Sequence, residues 1–212
     1  TVSSFSSTTA NGSYNNGETV NITANMSEAI LAGSKITVNL NTSDVVELTA
    51  LQNGTTLVGN YTVSASDNTT DLAVSSFALG TGDSVIDAFG NAMSATTLPG
   101  GQNLSDNAQL VIDNIPVAAR SFVASGDAAA DTVALTFTEA VKNTAALSAE
   151  ITGNTAYGAT GTAATTAWSS DSTTMTITLG TGETVSGSYS IAFTSVLDLA
   201  DNDNTSISFD IA

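Results

Sequence analysis

The residues best suited to chemistry in this chain are acidic, and they occur twice with the same spacing. Glu28 and Glu139 lie 111 residues apart, and so do Asp87 and Asp198. Each aspartate is followed four positions later by an asparagine. Carboxylate and amide oxygens are hard ligands of the kind that calcium prefers. A shared offset over two separate motifs predicts a duplicated module of roughly 100 residues that has kept its acidic residues.

Calcium is therefore the expected cofactor, and nine residues are candidate ligands. Asp198, Asp201 and Asp203 stand within six residues of each other, and ionised carboxylates this close repel one another unless a cation lies among them. The alternative is a solvated turn, because Asp and Asn are also ordinary turn residues. The full set of candidates is Glu28, Asp87, Asn91, Asp113, Asp127, Glu139, Asp198, Asp201 and Asp203.

The other candidates also have two interpretations each. Asp87 needs a neighbour such as Glu28 or Asp113 to complete a metal site, or else it caps its own turn. Asp113 joins Asp127 in a calcium-stiffened junction, or both lie in a plain linker. Two further aspartates, Asp67 and Asp71, are expected to flank a solvated turn.

Composition excludes several classes of function. The chain has 20 acidic residues against 3 basic ones, for a net charge of −17, which argues against a nucleic-acid partner. Cysteine and histidine are absent, which removes the usual ligands of zinc, copper and haem and the bases of serine and cysteine hydrolases. No apolar run approaches the ~20 residues of a membrane span, so direct membrane insertion is not expected.

An enzyme is not expected either. Two carboxylates can act as a glycosidase pair, but sugar sites usually add aromatic platforms. Aromatic residues make up only 6% of this chain, and its one tryptophan, Trp168, is expected to pack in or near a core. No glycine-rich loop leads into a helix, so a phosphate cradle is not predicted.

The elements that position the acidic residues are predicted to be strands. Apolar residues alternate with polar ones in many short runs, which is typical of half-buried antiparallel strands. Asn-Gly pairs at 11–12, 16–17 and 53–54 are expected in turns with positive φ. One short helix is predicted at 144–150. The alternating runs are 20–28, 35–40, 133–137, 175–179, 189–193 and 207–211.

The pattern predicts an all-β chain of two tandem β-sandwich domains. Pro116 must keep the chain extended where one strand ends and a new one begins near residues 120–123. The predicted domains are 1–115 and 116–212, the second being the shorter.

These segments resemble a known family. The stretches 13–22, 27–30, 61–63, 67–72 and 87–91, closing on 112–113, are similar to the bacterial immunoglobulin-like repeats of large surface proteins and adhesins, of S-layer or RTX-adhesin type. The second half, through 133–141 and 196–202, is similar to a shorter relative. The resemblance implies two immunoglobulin-like domains in a secreted, calcium-stiffened spacer on a cell surface. The second copy differs from the first by having Asp201 at the position of Gly90. This adds a charge, so the two loops are not expected to bind a metal with identical geometry.

Three functions remain open at this point. The first is a non-catalytic structural module of an extracellular protein, such as an adhesin stalk, an S-layer subunit or a filament segment, whose partners are neighbouring copies or domains. The second is an adhesion module that binds a glycan or another ligand through calcium. The third is a self-assembling subunit that pairs through an exposed strand edge.

Overall fold

The computed structural model describes residues 1–80, 84–125, 131–152, 164–180 and 189–211. The chain is all-β, with 48% of the described residues in strands and 7% in helices, and its several antiparallel sheets are consistent with a β-sandwich. Contacts divide it into two compact units, unit 1 (Thr1–Asn114) and unit 2 (Ile115–Ala212). Among the described residues, no helix is long and apolar enough to span a membrane.

Unit 1 is built on one large sheet. Its elements are β1 (Val2–Ser6), β2 (Gly12–Tyr14), β3 (Thr19–Ile30), β4 (Lys35–Leu40), β5 (Val45–Thr49), β6 (Gly54–Thr62), β7 (Val74–Ala78), α1 (Leu104–Asn107) and β8 (Leu110–Ile112). In the described part of the unit, six strands pair antiparallel in the order β1-β3-β6-β5-β4-β7. The short strands β2 and β8 pair parallel to each other.

The alternating pattern places the core of unit 1 on one face of this sheet. In β4, Ile36, Val38 and Leu40 are buried while the residues between them are half-buried. In β3, Val20 and Ile22 are buried in the same way. Successive side chains of a strand point to opposite faces, so the period of two in the sequence becomes one buried face.

Unit 2 is built from smaller sheets. Its elements are β9 (Ala119–Ser125), β10 (Thr132–Phe137), α2 (Thr144–Thr152), β11 (Thr165–Trp168), β12 (Thr174–Thr178), β13 (Tyr189–Phe193), β14 (Val196–Leu197), β15 (Asp203–Asn204) and β16 (Ile207–Ile211). Within the described residues, four strands pair in the order β11-β12-β10-β9, and two further pairs are β13 with β16 and β14 with β15.

An aromatic cluster fills the core of unit 2. Phe137 stacks on Trp168 with ring centroids 5.7 Å apart. Phe209 meets Phe137 edge-on at 5.2 Å, and Phe193 lies 6.5 Å from it. Trp168 packs against this core as predicted, and its ring nitrogen donates to the Ser148 hydroxyl on α2.

The all-β prediction is confirmed, and so is the predicted helix, which is α2. The Asn-Gly prediction is wrong at two of the three pairs. Gly17 has a φ of +90°. Gly12 and Gly54 instead begin strands β2 and β6, where ladder partners Leu110 and Ile30 hold the backbone extended.

Candidate functional site: two aspartate-anchored loops

The first candidate site is the Asp87 loop, which we define as residues 87–91. It follows a single β-bridge between Asp87 and Ile30, the last residue of β3. The Asp87 N–H donates to the Asn91 carbonyl at 3.0 Å, and the Gly90 N–H donates to the Asp87 carbonyl at 3.1 Å. The main chain thus closes a tight turn at the end of the sheet.

The carboxylate of Asp87 fastens this turn. Its Oδ1 accepts from the N–H groups of Phe89 and Asn91, both at 2.8 Å, and its Oδ2 accepts from Asn91 Nδ2 at 2.8 Å. The Asn91 side-chain hydrogen bond, followed by the backbone bonds from Asn91 and Phe89, lowers the pKa of Asp87 below its ordinary value. All of these donors favour the ionised carboxylate, so the loop holds its aspartate charged.

The Asp198 loop, residues 198–202, repeats this arrangement bond for bond. Asp198 bridges to Val141, and its N–H donates to the Asn202 carbonyl at 3.2 Å. Asp198 Oδ1 accepts from the N–H groups of Ala200 and Asn202 at 2.8 and 2.9 Å, and Oδ2 accepts from Asn202 Nδ2 at 2.8 Å. The capping interpretation made for Asp87 therefore describes both loops, whereas the solvated turn considered for Asp198 does not, because Asp198 has no exposed surface.

The fourth residue of each loop adopts a left-handed backbone. Gly90 has a φ of +86°, and Asp201 has a φ of +65°. Glycine reaches this region at no steric cost, and aspartate is among the few other residues that tolerate it. The departure of the second copy from the first is thus a change of residue within one backbone conformation.

The two glutamates lie beside the two loops. Glu28, Asp87 and Asn91 all line one cavity of about 60 Å³ in unit 1. In unit 2, a carboxylate oxygen of Glu139 lies within 4.8 Å of one of Asp198. Glu28 is exposed and Glu139 half-buried, whereas Asp198 has no exposed surface. Glu28 thus lines the same cavity as Asp87 in unit 1, and Glu139 brings a carboxylate oxygen close to Asp198 in unit 2.

Two of the remaining predicted ligands in unit 2 have hydrogen-bond partners of their own. Asp201 Oδ1 and Oδ2 both accept from Lys142 Nζ at 2.6 Å, and Asp203 accepts from the Ser195 hydroxyl at 2.9 Å. Asp113 follows β8, and its N–H donates to the Tyr14 carbonyl. The cluster of carboxylates at 198–203 is thus divided among different partners. Asp127 lies outside the described residues.

Lys142 was not anticipated from the sequence. Its N–H donates to the Leu197 carbonyl, just as the Leu31 N–H donates to the Ile86 carbonyl in unit 1. Leu31 and Lys142 are also 111 residues apart. Comparing the two copies at this offset could therefore have indicated Lys142 as a neighbour of the Asp198 loop. The second copy thus has a lysine where the first has Leu31, and this lysine pairs with Asp201.

No protein-family model matches the chain, and no curated protein matches its sequence. The chemistry of the candidate site follows from its own residues. A carboxylate that accepts several hydrogen bonds is a weak base and a weak nucleophile, but its remaining lone pairs can bind a hard cation.

Proposed function

We propose that the chain is a non-catalytic structural spacer of an extracellular cell-surface protein, built from two tandem immunoglobulin-like β-sandwich domains and stiffened by calcium. The observation that carries this proposal is the repetition of one aspartate-anchored loop in both units, with the same set of hydrogen bonds. The residues retained between the copies hold the backbone, which is what a repeated mechanical module needs.

The glutamates support calcium as the stiffening ion. Glu139 approaches Asp198 within 4.8 Å, and two anions at that distance repel each other unless a cation lies near them. Glu28 stands beside the cavity that Asp87 lines in unit 1. Calcium takes six to eight oxygen ligands at about 2.3–2.6 Å, so the glutamate–aspartate pair supplies part of a shell that waters and carbonyls complete.

The net charge supports an extracellular setting. A chain of net charge −17 repels itself, and screening or bridging by cations relieves this repulsion. Extracellular calcium modules work with dissociation constants on the order of 10⁻⁴–10⁻³ M, which suits a site with few pre-formed ligands. The partners in this account are neighbouring domains or copies of the same surface protein.

Single-molecule force spectroscopy tests the proposal. The whole chain, placed between marker domains, is stretched in calcium and then in a chelator. We expect a higher unfolding force in calcium, with the gain reduced in the Glu28→Gln/Glu139→Gln variant, because each change removes one ligand beside its loop. Glu28→Gln and Glu139→Gln are also tested singly, each against the control Glu150→Gln, which removes one charge from the exposed end of α2. Equal unfolding forces in calcium and in chelator contradict a calcium-stiffened spacer.

A further inference from the structure

Two loops meet at the end of unit 1 that lies away from the Asp87 loop. One is the 41–44 turn between β4 and β5, and the other is the 63–73 loop between β6 and β7. Asn41 joins them: its Nδ2 donates to the Asp71 carbonyl and to Thr69 Oγ1, both at 2.8 Å, and its Oδ1 accepts from the Ala73 N–H at 3.0 Å. The backbone N–H of Asn41 also donates to the Ala73 carbonyl. Residues of the two loops are thus held side by side.

A buried tyrosine and aspartate line the same end. Tyr61 and Asp67 are 2% and 5% exposed, and Tyr61 Oη donates to Asp67 Oδ2 at 2.6 Å. Burial first, and then the bond to Asp67, raises the pKa of Tyr61, and the side chains of Thr42 and Asp44 lie close enough to its hydroxyl to affect it as well. Asp67 was expected in a solvated turn, and this contact is what buries it.

Three oxygens on these loops are buried and unsatisfied. In the part of the chain that the structure describes, Thr42 Oγ1, Asp44 Oδ2 and Asp71 Oδ1 each expose less than 1 Å² and have no hydrogen-bond partner. Tyr61 gives its hydroxyl proton to Asp67, so it can accept a hydrogen bond from Thr42 but donates none to it, and the lone pairs of Thr42 Oγ1 stay without a donor. A buried carboxylate oxygen without a partner costs free energy, and native structures rarely leave one.

The protein offers no cationic side chain to these oxygens from unit 1. Lys35 is the only lysine or arginine in 1–114, and it pairs with Glu47 at the start of β4. The 41–44 turn follows the other end of this six-residue strand, roughly 17 Å away at the rise of a β-strand. Unit 1 therefore has no cationic side chain of its own for these carboxylates, and a cation from solution can compensate them.

We propose that Thr42, Asp44 and Asp71 form a binding site for a hard divalent cation, calcium. Two carboxylates and a hydroxyl are suitable ligands, and the cation gives each unsatisfied oxygen a partner. The site is separate from the Asp87 loop, because Ser84 accepts from Lys35 at the start of β4 and Asp87 bridges to Ile30 at the end of β3, whereas the 41–44 turn follows the other end of β4. It deepens the proposed calcium stiffening and rests on it for the identity of the ion. Bound calcium fastens the 41–44 turn to the 63–73 loop.

Calorimetric titration of the whole, metal-stripped chain with calcium chloride tests the site. Asp44→Asn and Asp71→Asn are compared with wild type, with the charge-matched Glu150→Gln and with Glu28→Gln/Glu139→Gln. We expect the two aspartate variants to lose one bound calcium that Glu150→Gln keeps. Binding that is unchanged in both aspartate variants but lost in Glu28→Gln/Glu139→Gln overturns this site and leaves the proposed function intact. A wild-type chain that binds no calcium overturns the site and the proposed calcium stiffening together.

Thermal unfolding gives a second readout that a damaged fold does not imitate. In chelator, Asp71→Asn is expected to melt above wild type, because the change removes an uncompensated buried charge. In calcium the order reverses, because only wild type gains the additional stability of an ion bound at this site. A midpoint for Asp71→Asn that falls below wild type by the same amount in both conditions overturns the proposal.

Discussion

The Asp87 loop and the Asp198 loop have the same hydrogen bonds around their first residue, the anchor aspartate. They differ at their third and fourth residues, which we call the tip. In the first, Phe89 is 91% exposed and Gly90 holds the left-handed position. In the second, Ala200 is 3% exposed, and Asp201 takes the left-handed position and pairs with Lys142. The anchor aspartate, its asparagine and the β-bridge do not differ. The anchor is therefore the part of the module that folding requires, whereas the residues of the tip can change.

The largest expected effect comes from removing the more deeply buried anchor. Asp198→Ala leaves the N–H groups of Ala200 and Asn202 without an acceptor, and we expect a loss of about 3 kcal/mol in the free energy of unfolding. Urea unfolding followed by the fluorescence of Trp168, which stacks in the core of unit 2, measures it. Asp203→Ala is the control, with an expected loss within about 0.5 kcal/mol, because Asp203 is exposed. Equal losses of unfolding free energy in Asp198→Ala and Asp203→Ala would contradict the claim that the anchor aspartate stabilises the loop.

The anchor of unit 1 makes stability depend on pH. The pKa of Asp87 is lowered from 3.8, so its stabilising contribution is fully present above that pH and is lost as the pH falls through the folded-state value. Asp87→Asn places an amide N–H₂ against that of Asn91, and we expect it to be less stable than wild type at neutral pH. Circular dichroism during urea unfolding at several pH values should show the gap narrowing below pH 3.8. A gap that does not change with pH contradicts an ionised anchor.

The left-handed positions should respond in opposite directions. Gly90 has no neighbour within 4 Å of an added Cβ, so Gly90→Ala costs only the backbone strain, about 1 kcal/mol. Asp201→Gly removes such strain, and losing the Lys142 pair offsets part of the gain. Thermal melts of both variants check the two signs. Destabilisation of similar size in both variants would show that Asp201 stabilises its loop by more than its pair with lysine.

The smallest effect is expected at the Lys142–Asp201 pair. Its side chains are 47% and 60% exposed, so Lys142→Ala should cost about 0.5 kcal/mol or less. Screening by salt should remove even this difference. Urea unfolding of the variant and of wild type at low and high salt measures both quantities. A loss that exceeds that of Asp198→Ala would make the tip, and not the anchor, the main determinant of the loop.

The strands could be predicted from the sequence because a half-buried strand has an apolar residue at every second position. The runs at 35–40 and 133–137 therefore correspond to β4 and β10. The similarity of the two loops could be predicted because both the glutamates and the aspartates are 111 residues apart in the sequence.

Contacts between distant residues were not readable in this way. Nothing local to Asp67 indicates that the hydroxyl of Tyr61 reaches it, and nothing local to Asp44 indicates that the 63–73 loop packs beside its turn. These contacts depend on which strand ends meet when the sheet forms. The choice between ligand and turn anchor for Asp87 and Asp198 also depended on bonds that form only when the loop closes.

Differential scanning calorimetry of the wild-type chain, in calcium and in chelator, is the decisive test of calcium stiffening. We expect a higher unfolding midpoint in calcium, because an ion that binds only the folded chain stabilises it by mass action. An identical midpoint in calcium and in chelator would contradict a calcium-stiffened module.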